Sequence, residues 1–339
     1  MKKLRVGILG YGYWGPNLVR NLYKVSDCQV VAIADNDQRR LDAAVIAHPG
    51  LETSSDAQEL LYRNDIDAIV VATPPSTHYL LASIALENGK HVLVEKPLSR
   101  SIDEAKSLID MAKRYKLTLM VDHTFVYSGA VRMIRDIISS GELGDVWYVD
   151  AVRINLGLFQ RDVNVIQDLG PHDFSILNYL IQSEPKTVSA VGIAPVEYGS
   201  GTPISLAYLT VRLANGVLAQ FHLSWLSPVK IRRMLIGGSQ KTLVYDHLDP
   251  DHQIKIYDKG LETITEGDRR RLLSERRIGD MYAPKVDQTE PLEQMCQHFV
   301  ECALSGKTPL SDGVDGLKVV RLIDATIQSL DQGGAVIAL

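Results

Sequence analysis

Four residues at two points of this chain have the side chains that proton transfer requires. Glu95 and Lys96 follow an apolar run, 89–94, that is typical of a buried strand. They are therefore expected at the carboxyl end of that strand, where burial readily shifts the pKa of a lysine. Asp168 and His172 are four residues apart, so in a helix, or a tight turn opening one, they share a face. Histidine titrates near neutrality and is the commonest side-chain acid or base, so general acid–base chemistry is indicated.

Each of these candidates also has a purely structural interpretation. Lys96 could be a surface lysine beside the turn proline Pro97. An isolated Asp-x-x-x-His pair is more often structural than catalytic, and His172 or Asp173 could instead cap a helix that starts at this point. Local sequence leaves both interpretations open.

A glycine-rich segment near the start of the chain has the pattern of a phosphate-binding turn. An apolar run, 4–9, leads into Gly-x-Gly-x-x-Gly at 10–15, which includes Tyr13 and Trp14, and a helical pattern follows over 17–23. The motif is weak by itself, but a strand before it and a helix after it are the context in which it binds a dinucleotide. The alternative is a glycine turn that holds no ligand.

The three glycines each have a physical role in the dinucleotide interpretation. Gly10 allows the tight turn out of the strand, Gly12 lets the backbone approach a pyrophosphate, and Gly15 lets the helix lie close to the strand. The diphosphate would then lie at the helix N-terminus, where free N–H groups and the helix dipole favour an anion. The next predicted strand, 29–34, ends at Asp35, whose carboxylate can hold the ribose hydroxyls of NAD.

Asp35 also predicts which dinucleotide is bound. The 2′-phosphate of NADP would have to lie against this carboxylate, and two anions at contact distance repel strongly where the effective dielectric is low. Arg39 and Arg40 lie a turn further on and could partly offset that repulsion. We therefore expect NAD rather than NADP.

Two further strand ends supply cofactor-binding candidates. Thr73, Pro74 and His78 follow one apolar run, and Glu95 with Lys96 follow the next. Ligands of doubly wound sheets bind at the carboxyl ends of the strands, so we expect all five residues to line the cofactor site. The alternative for the first three is a turn in which a Ser or Thr side chain caps the next helix.

Strands and helices alternate regularly over the first third of the chain. Strands are predicted at 4–9, 29–34, 66–72, 89–94 and 117–121. Helical patterns separate them, and this order indicates a parallel, doubly wound sheet with right-handed crossovers. We predict a first domain, over 1–123, that binds NAD.

The rhythm changes after His123. Helices are predicted at 129–140, 173–181, 289–305 and 313–330, and strands at 144–156, 187–192, 205–213, 217–226, 232–236, 241–245 and 253–257. Neighbouring strands joined by short turns predict a second α/β domain, over 124–339, with a large, open, mostly antiparallel sheet. The expected fold class is therefore α/β, with the doubly wound parallel sheet first.

The few helices of the second domain cannot cover both faces of such a sheet. We therefore expect one face to pack against another copy of the chain, in a homodimer or a homotetramer. Bulky residues alternate at 207–211 and 220–225, and we assign Leu209 and Phe221 to the face that meets the partner.

Composition excludes several classes of protein. A net charge of −5 argues against binding nucleic acid, and the basic clusters at 230–233 and 269–277 lack interleaved aromatic residues. The three cysteines form no Cys-x-x-Cys pair, so they are expected to be small core residues in a reducing compartment. No apolar run approaches the ~20 residues of a membrane helix, so we expect a cytoplasmic protein without a membrane partner. No metal site is predicted.

Three motifs together resemble the Gfo/Idh/MocA family. They are the glycine turn at 10–15, Glu95-Lys96-Pro97, and Asp168-Leu169-Gly170-Pro171-His172. The resemblance covers almost the whole chain, although the segment 162–166 departs from the glycine-rich lead-in common in the family. It implies a Rossmann domain, then an α/β domain with a large open sheet, a dinucleotide between them, and oligomers formed through that sheet.

The resemblance also implies catalytic roles and a class of substrate. Lys96, Asp168 and His172 would line the nicotinamide end of the site. His172 is assigned as general base, Lys96 as the cation that stabilises the alkoxide, and Asp168 as the group that orients one of them. The roles of His172 and Lys96 could also be exchanged. The ending, 284–292 with 306–309, is similar to members that oxidise C3 of a UDP-linked N-acetylhexosamine or catalyse the reverse reduction, in surface-polysaccharide synthesis.

Alternatives to that substrate and to catalysis itself stay open. One is a dehydrogenase for inositol or free sugars, and another is a sensor that binds the dinucleotide without chemistry and needs neither Lys96 nor His172. Arg153, Arg161 or the cluster at 269–277 could bind the diphosphate of a UDP-sugar, or could be solvated surface.

Overall fold

A computed structural model describes residues 3–157, 159, 163–197, 201–261 and 276–339. The chain divides into two compact units. The first comprises Met1–Ser128 and Thr289–Asp324, and the second comprises Gly129–Gln288 and Ala325–Leu339. Predicted domains of 1–123 and 124–339 therefore differ from this division in the C-terminal segment, and their assignment to NAD and to substrate stays a prediction.

Six parallel strands form the sheet of the first unit within its described residues, 3–128 and 289–324. They are β1 (Leu4–Leu9), β2 (Cys28–Ala34), β3 (Glu52–Ser54), β4 (Ala68–Val71), β5 (His91–Glu95) and β6 (Leu119–Asp122). Their order is β3-β2-β1-β4-β5-β6, and β4, β5 and β6 are almost wholly buried apolar runs because helices cover both faces. The predicted doubly wound parallel sheet is confirmed, and β3 is an additional short edge strand.

Helices connect these strands in turn. They are α1 (Gly15–Lys24), α2 (Gln38–Ala47), α3 (Ala57–Tyr62), α4 (Pro75–Glu87) and α5 (Ile102–Tyr115), and a 3₁₀ turn, Thr124–Tyr127, follows β6. Asp56 caps α3, since its side chain accepts a hydrogen bond from the N–H of Gln58 at 2.8 Å. The alternative interpretation, in which a Ser or Thr side chain caps α4, is wrong. Pro74 occupies that N-cap position, and the hydroxyl of Thr77 donates to the carbonyl of Pro74.

In the part of the second unit that the structure describes, nine strands form one sheet. In chain order its elements are α6 (Gly129–Ser139), β7 (Val146–Leu156), α7 (Val165–Ile181), β8 (Pro185–Ile193), β9 (Leu206–Leu213), β10 (Leu218–Ser224), β11 (Leu226–Gly238), β12 (Thr242–Asp246), β13 (Ile254–Leu261) and β14 (Arg276–Tyr282). The C-terminal β15 (Ile337–Ala338) pairs with β8, and the order is β14-β13-β12-β11-β7-β10-β9-β8-β15. Strands β7 and β10 are parallel and the other neighbours antiparallel, which confirms the predicted mostly antiparallel sheet.

Helix α7 begins eight residues before its predicted start at 173. Asn164 caps it by accepting hydrogen bonds from the N–H groups of Ile166 and Gln167, both at 3.0 Å. The side chain of Gln167 in turn accepts from the N–H of Asn164, which completes a capping box. Pro171 lies inside the helix, and an internal proline is a signal usually taken to end one.

The longer helix corrects the alternative role considered for His172 and Asp173. Neither residue is an N-cap, because both lie in the middle of α7. Asp168 and His172 are instead one helical turn apart, on the same side of one helix.

Helix α7 covers one face of the second sheet. Phe174 on α7 meets Phe221 edge-on, with ring centroids 5.2 Å apart, and Phe221 and Leu209 are almost completely buried. Their assignment to the partner-facing side is therefore wrong, because their side chains form the core under α7. The opposite face carries Tyr208 and His222, which stand opposite each other on β9 and β10 with stacked rings 4.3 Å apart.

Two helices near the C-terminus complete the fold, α8 (Pro291–Ser305) and α9 (Gly313–Asp331). Helix α8 packs on α1, and Arg20 of α1 forms an ion pair of 2.6 Å with Glu290, directly before α8. The cysteines are free and buried, as predicted for core residues. Among the described residues, no helix has both the length and the apolar character to cross a membrane.

Candidate active site

The glycine turn between β1 and α1 has the geometry predicted for it. Gly10 has φ +98°, and a Cβ there would lie 2.5 Å from the carbonyl oxygen of Ala72. A Cβ on Gly15 would lie 2.5 Å from the carbonyl oxygen of Gly10, so both positions require glycine. Gly12 is different, because the nearest atom to its Cβ position is Nη1 of Arg40 at 3.7 Å. The space in front of Gly12 is therefore open to a ligand.

The start of α1 is suited to an anion. Within the described part of the chain, no side chain caps its first turn, and Trp14 occupies the N-cap position. The rings of Tyr13 and Trp14 meet edge-on at 5.3 Å, and Tyr13 is 77% exposed. An uncapped helix N-terminus beside an open glycine backbone fits the diphosphate of a dinucleotide.

Asp35 does more than end β2. Its Oδ2 accepts a hydrogen bond of 2.7 Å from the N–H of Tyr11, and its Oδ1 accepts one of 2.9 Å from the N–H of Asp37. Arg40 lies 3.4 Å from the same carboxylate, whereas Arg39 pairs with Asp37. Asp35 therefore fixes the glycine turn to β2, a role that the sequence did not indicate.

His78 ties two strand-end loops together. Its buried ring lies with Nδ1 2.8 Å from the carbonyl oxygen of Pro97 and Nε2 2.9 Å from that of Thr73. Burial lowers its pKa, so the ring is neutral near pH 7. The loops after β4 and β5 are thus held at one edge of the sheet, and cofactor binding by Thr73, Pro74 and His78 stays a prediction.

Two carboxyl groups meet at the ends of β5 and β6. Glu95 and Asp122 are opposite each other in the parallel register, both are buried, and their side chains hydrogen-bond to each other. Burial raises the pKa of both, and for Glu95 the neighbouring Asp122 raises it further. One proton shared by the pair satisfies this arrangement, because two carboxylates cannot both ionise at such a position.

Lys96 is half-buried directly beside this carboxyl pair. Its backbone N–H donates to Oε2 of Glu95 at 3.2 Å. The positive charge of its side chain lowers the pKa values of Glu95 and Asp122, against the larger effect of burial. Burial, and then the charge of Lys96, lowers the pKa of His123 to about 3. The lysine ammonium therefore lies beside a carboxyl pair that shares one proton and beside a histidine ring that is neutral near pH 7.

In the second unit, Asp168 is held by a residue that sequence reasoning missed. The indole Nε1 of Trp225 donates to Oδ2 of Asp168 at 3.1 Å, and Trp225 itself is buried. A Cβ on Gly157 would lie 2.2 Å from the Trp225 ring, so this glycine makes room for the indole. The only signal in the sequence was a tryptophan at the end of the predicted strand 217–226, which did not reveal its partner.

The structure describes Arg153, but not Arg161, of the arginines considered for substrate binding. Arg153 forms a buried, two-bonded ion pair with Asp173 of α7, with Nε–Oδ2 at 2.9 Å and Nη2–Oδ1 at 2.7 Å. It is therefore not solvated surface. Arg161 and residues 269–275 of the cluster at 269–277 lie outside the described residues.

The predicted site residues thus fall into two groups, one in each unit. In the first unit they lie at the carboxyl edge of the sheet. The glycine turn follows β1, Asp35 follows β2, Thr73 lies after β4, and Glu95 and Lys96 lie at the end of β5. In the second unit Asp168 and His172 share α7 with the carboxylate partner of Arg153. This arrangement supplies a dinucleotide cradle and, separately, a carboxylate–imidazole pair.

Known proteins match both units. Residues 4–123 match the model described as the oxidoreductase family, NAD-binding Rossmann fold, and residues 131–244 match the GFO/IDH/MocA C-terminal domain. The UDP-N-acetylglucosamine 3-dehydrogenase of Acidithiobacillus ferrooxidans is 30% identical over 267 residues, which are 78% of this chain and 80% of that protein.

Two further comparisons extend over nearly the full length. The scyllo-inositol 2-dehydrogenase (NAD(+)) of Bacillus subtilis is 26% identical over 92% of this chain and 90% of its own. The crystal structure of UDP-N-acetylglucosamine 3-dehydrogenase GnnA from A. ferrooxidans superposes with a TM-score of 0.81 at 25% identity, covering 98% of this chain and 99% of that one. These relatives are dehydrogenases, and the predicted fold, enzyme class and family are confirmed: the chain belongs to the Gfo/Idh/MocA family and is an NAD-binding oxidoreductase.

Proposed function

We propose that this oxidoreductase transfers a hydride between NAD and a secondary alcohol of a sugar, and that the alcohol is C3 of a UDP-linked N-acetylhexosamine. The observation that carries the hydride-transfer chemistry is the Asp168–His172 pair on one face of α7, in a chain whose other unit carries a dinucleotide cradle. The choice of sugar is supported by the 30% identity to a UDP-N-acetylglucosamine 3-dehydrogenase over 78% of the chain.

The cofactor proposal is NAD rather than NADP. Gly10, Gly12 and Gly15 would hold the diphosphate, and the carboxylate of Asp35 would accept hydrogen bonds from the ribose hydroxyls. When bound, the nicotinamide supplies the carbon that takes or returns the hydride. A 2′-phosphate would meet the negative charge of Asp35, which Arg40 at 3.4 Å offsets only in part.

The proposed chemistry uses three side chains, two of which act on one substrate oxygen. The hydroxyl proton passes to His172 as the hydride leaves the same carbon, so that the alcohol becomes a carbonyl. The ammonium of Lys96 stabilises the negative charge that develops on the oxygen. Asp168, held by Trp225, orients either Lys96 or His172, and an exchange of the Lys96 and His172 roles is the alternative assignment.

The carboxyl pair next to Lys96 supports its proposed role. If Glu95 and Asp122 were both ionised, they would draw the ammonium into a fixed ion pair. Because burial raises the pKa of both groups, the shared proton leaves Lys96 more of its charge for the substrate oxygen. Glu95 and Asp122 are thus proposed as positioning residues.

A second candidate function is oxidation of a free cyclitol or sugar. It is favoured by the 26% identity to a scyllo-inositol 2-dehydrogenase over 92% of the chain. The chemistry proposed for Lys96 and His172 would be the same, and only the groups that recognise the rest of the substrate would differ.

Assembly and location complete the proposal. We propose a homodimer or homotetramer formed through the sheet face that α7 leaves open, where Tyr208 is 42% exposed. We also propose a cytoplasmic location, because three buried free cysteines suit a reducing compartment.

The experiment that tests the function follows absorbance of the reduced nicotinamide with purified protein, NAD and a panel of UDP-N-acetylhexosamines, cyclitols and free sugars. Turnover with a UDP-N-acetylhexosamine, and a product oxidised at C3, is the expected result. Turnover with inositol alone would support the second candidate. No reduction with any sugar, and no oxidation of NADH by the corresponding keto-sugars, would contradict both.

A further inference from the structure

Two arginines stand directly opposite each other in the second sheet. Arg153 of β7 pairs with Arg232 of β11 in the antiparallel register, and residues paired in this way extend from one face of the sheet. That face is the one under α7, because Arg153 bonds to Asp173 on that helix. Like charges opposite each other are destabilising unless an anion compensates them.

Asp173 is hydrogen-bonded to Arg153, whereas it acts on Arg232 through its charge and raises the pKa of that guanidinium. Both carboxylate oxygens of Asp173 accept hydrogen bonds from Arg153. The buried Nε of Arg232 has no hydrogen-bond partner in the described part of the chain. Burial, and then the charge of Arg153, lowers the pKa of Arg232, while the charge of Arg232 is the main cause that lowers the pKa of Lys230.

The groups packed around these cations do not remove the excess charge. His247 has its pKa lowered to about 4, chiefly by burial and then by Arg232, so its ring is neutral near pH 7. The carboxylate of Asp168 acts on Arg153 and Arg232 and already accepts a hydrogen bond from Trp225. Among the residues that the structure describes, three cations, Arg153, Arg232 and Lys230, therefore act on one another near two carboxylates, Asp168 and Asp173, and the excess charge is positive.

We infer that Arg232, with Arg153 and Lys230 beside it, binds an oxyanion of the substrate, which is either a phosphate of a nucleotide sugar or a carboxylate on the sugar. A guanidinium presents a planar fork of donors that matches such groups through two parallel hydrogen bonds. A buried donor without a partner is costly, and the ligand removes that cost. The inference rests on the proposed function, because it takes Asp168 and His172 as the reacting end of the same site.

The test compares Arg232→Gln with Arg233→Gln in the intact, NAD-saturated protein. Arg233 is a matched control because it is the next residue of β11, points to the opposite face and pairs with Asp246. Binding of UDP-N-acetylglucosamine, UDP-N-acetylglucosaminuronate and scyllo-inositol is measured by calorimetry. Loss of a charge-assisted bond should raise the Kd of the anionic ligand roughly 10- to 100-fold in Arg232→Gln, with little change in Arg233→Gln or for inositol. Arg232→Lys should lose less than Arg232→Gln.

The ligands distinguish the source of the oxyanion. An equal loss for both UDP-sugars assigns the phosphate, and a loss confined to the uronate assigns the carboxylate. A second measurement needs no nucleotide sugar. Inorganic phosphate and glucuronate should each raise the thermal unfolding midpoint of the wild type if they bind, and Arg232→Gln should abolish that rise. If wild type and Arg232→Gln respond alike to every ligand, the inference is overturned even when sugars are oxidised. Anion binding that depends on Arg232, in a protein without turnover, would instead overturn the proposed function alone.

Discussion

The indole of Trp225 donates a hydrogen bond of 3.1 Å to the carboxylate of Asp168, which lies one helical turn from His172 on α7. Trp225 is buried and follows β10, so the carboxylate is fixed by the sheet as well as by its own helix. The proposed orienting role of Asp168 therefore depends on a residue 57 positions away in the chain.

Replacing Trp225 by Phe should lower kcat because Asp168 loses a donor that fixes its orientation. A hydrogen bond to a charged group contributes about 1.5–3 kcal/mol, so kcat should fall by at most roughly 10- to 100-fold. NAD binding should not change. A double-mutant cycle with Asp168→Asn separates positioning from general damage, because Trp225→Phe should cost much less in that background. Equal losses in both backgrounds would mean that Trp225 acts independently of Asp168.

Asp35→Ala should weaken NAD binding and narrow the preference for NAD over NADP. The variant loses the acceptor for the ribose and also the bond that ties Tyr11 to β2, so both effects are expected. Fluorescence titration with each dinucleotide measures the two Kd values, and the preference should shrink about tenfold or more. Asp42→Ala, an exposed position on α2, serves as the control. An unchanged preference, or tighter binding of NADP by the wild type, would contradict the role given to Asp35.

The carboxyl pair predicts a pH dependence of stability with a definite sign. Glu95 has a folded-state pKa well above its ordinary value of 4.5, so the folded protein favours the protonated form. This contribution is fully present below pH 4.5 and is lost as the pH rises toward the folded-state pKa, by about 1.4 kcal/mol per pH unit for one proton.

Glu95→Gln replaces the carboxyl group by an amide that does not ionise. The unfolding free energy of the variant should therefore fall less between pH 5 and pH 8 than that of the wild type. Urea unfolding at several pH values gives the comparison. Parallel curves for the two proteins would show that Glu95 does not hold a proton in the folded state.

Sequence predicted those parts of the site that follow from local pattern. The cradle around Gly10 and the position of Lys96 depend on where parallel strands end, and apolar runs show those ends directly. The start of α7 was missed because Pro171 is usually read as a break, whereas the capping box at Asn164 sets the boundary. The pairs that depend on tertiary contacts had no local signal, as with Glu95 and Asp122.

The face assignment in β9 and β10 was incorrect because it too depends on a tertiary contact. Alternation shows that Tyr208 and Leu209 point to opposite faces, but both are bulky, so the pattern does not say which face a helix covers. The packing of Phe174 on Phe221 decides this, and it depends on the path of α7.

Assembly through the open sheet face can be tested with a matched pair of neighbours. Tyr208→Glu places a charge on the open face and should shift the mass in light scattering from oligomer to monomer while the protein stays folded. Leu209→Glu buries a charge in the core and should unfold the second unit. A monomeric wild type, or an unchanged mass for folded Tyr208→Glu, would contradict assembly through this face.

If Lys96 and His172 act on the substrate oxygen during hydride transfer, their loss must slow the chemical step, which single-turnover absorbance of the reduced nicotinamide follows. The wild type, Lys96→Met and His172→Ala are mixed with NAD and an accepted sugar, and NAD binding is measured separately. General acid–base assistance is typically worth 10²–10⁴-fold, so each variant should slow the absorbance change by about that factor while its Kd for NAD stays nearly the same. Near wild-type rates in both folded variants would contradict the assignment.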